Sequence, residues 1–248
     1  MSQLLQGRLA LVTGGSRGLG RAICQVLARE GADVAFNFLS HDEDARQTLE
    51  QIEAHGVRGW SFQVSVLDKP GVWQMVRQIE ADAGRPIDIL INNAGVGQVV
   101  PLALMEEEDW DRVMDTNVKG TFLVTQAVMR GMIHQRAGHI LNIGSLAGSK
   151  MMQAPVHYCT AKAALKGFTE ALAKEIGRYG ILVNCLAPGV LDEGVSRNIP
   201  PRKLKQVTEH CALGRLGTVD EVAEMVAMLV SSRNTYMHGA TIMIDGAI

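Results

Sequence analysis

Apolar and polar residues follow two alternating periodicities along the chain. Short runs of β-branched and other apolar residues, typical of strands buried on both faces, alternate with longer stretches of helical spacing. The predicted strands are Arg8 to Thr13, Val34 to Asn37, Gly59 to Val64, Ile87 to Ile91, His139 to Ile143, Ile181 to Leu186 and Thr241 to Ile244. The predicted helices are Gly18 to Glu30, Asp42 to His55, Pro70 to Ala83, Glu107 to Arg136, Pro155 to Arg178 and Val219 to Ser231.

This alternation predicts the fold class. Repeated βαβ units require right-handed crossovers and a parallel sheet with helices on both faces. We therefore predict an α/β fold, a Rossmann-like doubly wound sheet of about seven strands. No repeat, low-complexity tract or linker divides the sequence, so residues 1–248 are expected to form a single domain.

One segment breaks the pattern. Between Val190 and Leu213 the periodicity fades, and two consecutive prolines at positions 200 and 201 interrupt it. A long irregular insertion in a compact domain is often functional. We expect residues 190–213 to form a lid over the substrate.

Composition and charge narrow the function classes. With 47% hydrophobic and 20% charged residues the chain should be globular, and a net charge of −2 gives no general attraction to nucleic acid or to an anionic membrane. The first residues lack a secretion signal and no stretch is long enough to span a bilayer, so a cytoplasmic protein is expected. The cysteines are widely spaced and are interpreted as free thiols: Cys24, Cys159, Cys185 and Cys211.

A glycine-rich loop, TGGSRGLG, directly follows the first predicted strand and opens a helix. Glycines allow a tight turn and a close approach of backbone N–H groups to a pyrophosphate, which the helix N-terminus also favours. A strand-to-helix turn without a ligand is the alternative. The position of the loop favours a dinucleotide, and its candidate ligands are Gly14, Ser16, Arg17, Gly18, Leu19 and Gly20.

The end of the second strand indicates which dinucleotide binds. NAD enzymes place a carboxylate there to bond the ribose hydroxyl, but no acid occurs before Asp42. Arg17 could bind a 2′-phosphate through a charge-assisted fork, and Ser40 could add a hydrogen bond. We therefore predict NADPH as the cofactor.

Tyr158 and Lys162 are four residues apart, on the same face of a predicted helix. A free phenol has a pKa of about 10, and a nearby ammonium lowers that pKa. The pair could thus donate a proton to a ketone oxygen as hydride arrives at carbon. Chance spacing of a half-buried ring and a solvated amine is the alternative. Ser145, at the end of a predicted strand, could polarise the same oxygen.

Six motifs together resemble the short-chain dehydrogenase/reductase family and span most of the chain. They are the TGxxxGxG loop, the NNAG run at Asn92 to Gly95, Asn117, Ser145, the YxxxK pair, and Pro188-Gly189. The resemblance implies that Tyr158 is the general acid, that Lys162 supports it and binds the nicotinamide ribose, and that Asn117 holds a water of the proton relay. It also implies cofactor contacts from Ser65, Val66, Asn92, Ala94, Gly95, Pro188, Gly189 and Val190.

The chain departs from the family pattern at three places. Ser65 stands where the family usually has the Asp that contacts adenine, and Glu193 stands roughly where a Thr contacts the nicotinamide amide. The end reads Asp245-Gly246-Ala247 in place of DGG. We expect weaker adenine binding and a changed lid, with the proton-transfer groups intact.

Weaker motifs, among them the turn from Gly214 to Gly217, resemble the branch of 3-oxoacyl-[acyl-carrier-protein] reductases of fatty-acid and polyketide assembly. That branch implies a carrier-bound acyl thioester and a homotetramer. An acidic carrier protein would need a basic rim, for which the candidates are Arg130, Arg178, Arg197, Arg202, Lys203 and Lys205, although each is equally well explained as a solvated charge.

Two other functions stay open. A reductase or dehydrogenase of free small ketones, sugars or steroids would share every catalytic residue. A binding or regulatory protein would keep the fold without the chemistry, which the intact Tyr158 and Lys162 disfavour. No metal is expected, because the acids that follow His41 open a helix, where they complement its dipole. His157 and Cys159 are interpreted as packing residues.

Overall fold

The computed structural model describes residues 3–194 and 199–248. Its strands are β1 (Leu9–Thr13), β2 (Asp33–Phe38), β3 (Gly59–Gln63), β4 (Ile89–Asn92), β5 (Gly138–Ile143), β6 (Ile181–Pro188) and β7 (Thr241–Ile244). Its α-helices are α1 (Gly18–Arg29), α2 (Asp42–Glu53), α3 (Lys69–Ala83), α4 (Glu107–Met114), α5 (Gly120–Gln135), α6 (Val156–Ile176), α7 (Pro201–His210) and α8 (Val219–Leu229).

The strands of the described chain form one parallel sheet in the order β3-β2-β1-β4-β5-β6-β7. The predicted α/β fold class is confirmed. The order reverses between β1 and β4, and in open parallel sheets such a reversal leaves a crevice beyond the carboxyl ends of the strands. Ser145 follows β5 at this edge, and Tyr158 lies in the first turn of α6.

The alternation of side chains along β1 explains the two layers of core. Ala10 and Val12 face one layer, with α1 and α8, and Leu9 and Leu11 face the other, with α3 and α5. All four are fully buried. Because both faces are covered, the strand is apolar from Leu9 to Val12, which is why its sequence forms a continuous apolar run.

The prediction of one helix from Glu107 to Arg136 is wrong in detail. Between α4 and α5 the residues Asp115–Lys119 form a π-helical segment, in which the backbone hydrogen bonds span five residues. Such insertions are frequent at functional sites, and this one contains Asn117.

The prediction of an irregular lid is also partly wrong. Residues Pro201–His210 form the helix α7, and Pro201 occupies its first turn. Proline is accepted there because the first backbone N–H groups of a helix need no partner within it. Residues 195–198, at the centre of the predicted lid, lie outside the described part of the chain. None of the described helices combines the length and the apolarity needed to cross a membrane.

Candidate active site

The glycine-rich loop is fixed at the reversal point of the sheet by three polar side chains. The Asn37 amide oxygen accepts a hydrogen bond from the Gly14 N–H (3.3 Å), and the Thr13 hydroxyl accepts from the N–H groups of Asn93 and Ala94 (both 2.9 Å). The Asn93 amide donates to the Thr13 carbonyl at 2.9 Å. These bonds join β1, β2 and β4, so the loop has a defined position before any ligand arrives.

Glycine is required at two positions of this loop. Gly14 has a φ of +68°, in the left-handed region that other residues rarely adopt, and a side chain on Gly20 would collide with the Gly14 carbonyl oxygen. The loop is therefore a cradle that a Cβ atom would fill, and α1 begins directly after it at Gly18. This geometry fits a pyrophosphate at a helix N-terminus.

The other loop residues divide into buried and exposed positions. Ser16 is buried, and its carbonyl accepts hydrogen bonds from Arg21 and Thr48. Leu19 is half-buried and packs on the core. Arg17 is exposed and lies 3.2 Å from the His41 ring, close to the exposed Ser40. Arg17 thus lies beside His41, the residue that follows Ser40 in the sequence.

The Asn92 side chain forms hydrogen bonds within the protein. It is buried, and its amide donates to Thr125 (3.0 Å) and to Asn142 on the neighbouring strand (2.9 Å). These bonds engage the side chain between β4, β5 and α5, and the cofactor contact expected of Asn92 stays a prediction. Ala94 and Gly95, in contrast, follow the end of β4 at the crevice.

The residues after β3 keep their predicted position but have local partners. Ser65 accepts a hydrogen bond from the Leu67 N–H at 3.2 Å, and Val66 is buried against Gly120 at the start of α5. The Ser65 hydroxyl keeps its donor capacity, because only its oxygen is used in this turn.

Tyr158 and Lys162 share one face of α6, as predicted. The Lys162 Nζ lies 5.8 Å from the centre of the Tyr158 ring and donates to the Ile143 carbonyl at 2.8 Å. Lys162 is buried, and burial lowers the pKa of its ammonium from the ordinary 10.5 to about 8. The site therefore holds a cation that is desolvated but still protonated at neutral pH.

Burial raises the pKa of the Tyr158 phenol, and a hydrogen bond from Ser145 lowers it in part. The prediction that the nearby Lys162 ammonium lowers the pKa of Tyr158 is wrong for this structure, in which that pKa is raised. The ammonium is bound to the Ile143 carbonyl rather than to the phenol oxygen, so desolvation of the ring dominates. Tyr158 is consequently a protonated acid at neutral pH.

Asn117 is buried in the π-helical segment and has one orphaned atom. Its amide donates to the carbonyls of Val96 (2.9 Å) and Val113 (2.8 Å), while its buried side-chain oxygen has no partner in the structure. That oxygen lies against Gly95, beside the Lys162 ammonium. An unpaired buried acceptor at this place fits a bound water between Asn117 and Lys162.

Ser145 ends β5 and caps the short helical turn Leu146–Gly148. Its hydroxyl accepts from the Ala147 N–H at 3.1 Å and also bonds the Tyr158 phenol. Two hydroxyl groups from separate elements therefore converge at the crevice, where both can reach one substrate oxygen.

The loop after β6 closes the far side of the site. Pro188 ends the strand, the Gly189 N–H donates to Ile244 on β7 (2.9 Å), and the Val190 carbonyl accepts from Gly217 (3.1 Å). The following residue, Leu191, forms a bridge with Gly217. The start of the predicted lid therefore packs against β7 and Gly217. Glu193 comes shortly before residues 195–198, which lie outside the described part of the chain.

The candidate basic rim is not assembled around one opening. Arg178 lies beyond the carboxyl end of α6, which is about 30 Å long, whereas Tyr158 lies at its amino end. Arg130 is exposed on α5, Arg202, Lys203 and Lys205 are exposed on α7, and Arg197 is outside the described residues. Among the candidates in the described residues, the α7 cations belong to the segment that follows the site.

Neighbouring polar residues have structural roles. His157 is buried, its Nδ1 accepts from the Tyr158 N–H at 2.8 Å, and burial lowers its pKa. Burial raises the pKa of Cys159, and all four cysteines are free thiols. Over residues 3–194 and 199–248, no three His, Cys, Asp or Glu side chains cluster in a way that could hold a metal ion.

Sequence reasoning missed Asn37 and Arg21. Asn37 is a polar residue inside a buried apolar strand, and that exception was the available signal. Arg21 joins the carbonyl of Ser16 to Asp44 on α2, at 2.8 and 2.9 Å. It is a contact between distant segments with no local signature.

Comparison with known proteins agrees with this geometry. A family model described as short chain dehydrogenase matches residues 8–203. The chain is 37% identical to a 3-oxoacyl-[acyl-carrier-protein] reductase of Pseudomonas aeruginosa over 98% of both chains, and 36% identical to one of Staphylococcus epidermidis over 96% of this chain and 98% of the other.

Two solved structures are similarly close. A blue fluorescent protein from a metagenomic library, in complex with NADPH, is 36% identical, with a TM-score of 0.91 over 99% of both chains. A short chain dehydrogenase from Burkholderia cenocepacia, in complex with NADP, is 33% identical, with a TM-score of 0.91 over 98% of both chains.

Proposed function

The chain belongs to the short chain dehydrogenase family, as its motifs predicted, and we propose that it reduces a 3-oxoacyl thioester to the 3-hydroxyacyl thioester with NADPH. The observation that carries this proposal is the convergence of Ser145, Tyr158 and Lys162 beside the glycine loop at the carboxyl edge of the sheet. These groups are suited to holding and protonating a carbonyl oxygen.

The residues divide the proton chemistry among them. Bound NADPH supplies a hydride to the carbonyl carbon. The Tyr158 phenol gives its proton to the carbonyl oxygen, and the Ser145 hydroxyl holds that oxygen by a hydrogen bond. The Lys162 ammonium stabilises the phenolate that results, and its own proton replaces the one lost. The Asn117 oxygen holds the water that connects Lys162 with solvent.

Cofactor choice follows from charge at the adenosine end. Arg17 and the hydroxyl of Ser40 are both exposed, Arg17 contacts the His41 ring next to Ser40, and no carboxylate lies between β2 and Asp42. A 2′-phosphate would be paired there, whereas NADH would leave the guanidinium without an anion. The NADPH and NADP found in similar structures support this choice.

The substrate class is supported by exposed apolar side chains in the segments around the crevice. These are Val99, Leu102 and Leu104 after β4, Met151 after β5 and Leu213 after β6. Apolar surface of this kind suits an acyl chain. The α7 cations suit the acidic surface of a carrier protein. A homotetramer and a cytoplasmic location are part of the same proposal.

A free small ketone is the second candidate. The observation that favours it is the separation of Arg178 from the site, because this cation of the predicted rim is then too far away to help bind a carrier protein at the site. A purely regulatory nucleotide-binding role is disfavoured by the buried Lys162. A desolvated ammonium costs stability and is hard to explain without chemistry.

The test is the consumption of NADPH, with NADH in parallel, on addition of an acetoacetyl thioester carried by acyl carrier protein or by N-acetylcysteamine. Wild type should consume NADPH with both thioesters, and faster with the carrier-bound form. Tyr158→Phe keeps the ring and removes the proton, so it should lose at least 100-fold in kcat (about 3 kcal/mol) while still binding NADPH. Consumption only with free small ketones would favour the second candidate.

A further inference from the structure

We propose that Lys150 is a positioning residue: by pairing with Asp245 and the Ile248 backbone it fixes the turn that carries Ser145. The inference rests on the proposed reductase function, in which Ser145 holds the substrate oxygen. Neither Lys150 nor Asp245 belongs to the six motifs on which the family resemblance rests.

The segment from Ser145 to Lys150 is a single hydrogen-bonded unit. The Gly148 N–H donates to the Ser145 carbonyl (3.1 Å), and the N–H groups of Ser149 and Lys150 both donate to the Leu146 carbonyl (2.9 Å). The Ser149 hydroxyl also donates to the Ser145 carbonyl at 3.2 Å. A displacement at Lys150 is therefore transmitted to Ser145 within one turn.

The Lys150 end of this segment is held by an ion pair. The Lys150 Nζ lies 2.7 Å from the Asp245 carboxylate and 2.6 Å from the Ile248 backbone oxygen. The Asp245 side chain is only 11% exposed against 38% for Lys150, so the carboxylate has little water to replace its partner. The hydrogen bond from Lys150 holds the pKa of Asp245 below its ordinary value. The pair is thus intact throughout the neutral range.

Asp245 is itself well supported by the rest of the site. A side chain on Gly189 would meet the Asp245 Cα at 2.9 Å, so the loop after β6 packs directly on this residue. The Cys211 thiol, at the end of α7, lies 3.2 Å from the Gly246 carbonyl. The segment Asp245–Ile248 therefore contacts the loop after β6 and the end of α7. Through Lys150 it also contacts the turn that begins at Ser145.

The other wall of the turn is α6. Gly148 packs so closely on the α6 backbone at Lys162 and Ala163 that a side chain there would collide with it. The turn thus lies between α6, which carries the proton donor, and the Asp245 segment. Loss of the ion pair would free one side only, which predicts a looser Ser145 in a folded protein.

Hydrogen–deuterium exchange tests this without any substrate. In Lys150→Met and in Asp245→Asn, the backbone amides of residues 147–150 should exchange about tenfold faster than in wild type. The double variant should exchange no faster than Lys150→Met alone, because that substitution already removes both contacts of the Lys150 ammonium. Lys150→Arg, which keeps the charge, should restore protection. The matched control is Lys69→Met, at an exposed lysine of α3.

Enzyme kinetics provide a second test of the proposal. With NADPH and the acetoacetyl N-acetylcysteamine thioester, Lys150→Met should lose about tenfold in kcat/KM, because a substrate oxygen held loosely reacts less often. The NADPH Kd should stay within twofold, which separates positioning from general damage. Unchanged exchange in Lys150→Met and Asp245→Asn would overturn the proposal, as would a loss of kcat/KM matched by equal loss of NADPH binding. If wild type reduces no ketone, the proposed function fails, while the exchange arm still decides whether the ion pair fixes the turn.

Discussion

Replacing Lys162 by methionine should remove activity and at the same time make the folded protein more stable. Burial lowers the pKa of Lys162 from the ordinary 10.5 to about 8, which corresponds to about 3 kcal/mol of destabilisation while the group is charged. Methionine fills a similar volume without a charge. Its cost is the lost hydrogen bond to the Ile143 carbonyl, about 1–2 kcal/mol. The net gain at pH 7 is about 1–2 kcal/mol, or roughly 2–8 °C in Tm.

The pH dependence of the stability difference tests whether the buried charge of Lys162 is its cause. Below pH 8 the lysine is protonated in the folded and unfolded states, and the whole cost is present. Between pH 8 and 10.5 the folded state releases its proton first, so wild type gains stability relative to the variant as pH rises. The advantage of Lys162→Met should therefore shrink between pH 7 and pH 10.

The assay is urea unfolding of both proteins at pH 7 and pH 10, at one protein concentration so that any oligomer contributes equally. Lys166→Met, at an exposed position of the same helix, is the control and should change stability by less than about 0.5 kcal/mol. A Lys162→Met protein less stable than wild type at pH 7, or an advantage that does not change with pH, would refute the reasoning.

Three other predictions concern the cofactor end and the proton donor. Arg17→Ala should raise the NADPH Kd about tenfold (about 1.4 kcal/mol) and leave the NADH Kd within twofold in fluorescence titrations; equal losses would exclude a 2′-phosphate contact. Gly20→Ala places a methyl group against the Gly14 carbonyl and should cost about 2 kcal/mol in thermal unfolding, whereas Gly167→Ala, which has open space in α6, should cost nothing; equal Tm values would contradict this. In a pH series, kcat/KM should fall as pH rises through about 8, where Lys162 loses its proton, and a flat profile to pH 9.5 would count against its role.

The fold was predictable because the strands of a parallel sheet are buried on both faces. Predicted strand ends agree with the observed ones to within about two residues: β2 was expected from Val34 to Asn37 and is found at Asp33–Phe38. The helix α7 was missed because it is short and has no buried residue, and because its prolines were interpreted as interruptions. Its first turn accepts proline, and its half-buried residues Leu204, Val207 and Thr208 recur at helical spacing, which was the sign that the sequence offered.

Site residues that belong to motifs of fixed spacing could be predicted from the sequence. Properties that depend on burial by distant segments, such as pKa shifts, could not. The spacing of Tyr158 and Lys162 was enough to place them together, but their pKa shifts depend on neighbours from other elements. Asn117 was expected inside an ordinary helix, and five residues of π-helix leave the apolar periodicity almost unchanged. The Lys150–Asp245 pair joins segments 95 residues apart, and no local pattern encodes such a contact.

The central claim is that the described groups reduce a ketone by hydride transfer coupled to protonation from Tyr158. The most direct measurement supplies NADPH that carries deuterium at the transferable position, together with the acetoacetyl thioester, and locates the label in the product by mass spectrometry and NMR. The account predicts one deuterium on the carbinol carbon of the 3-hydroxyacyl thioester with wild type, and at least 100-fold slower labelling with Tyr158→Phe. Product without deuterium on that carbon, or equal labelling rates in the two proteins, would contradict it.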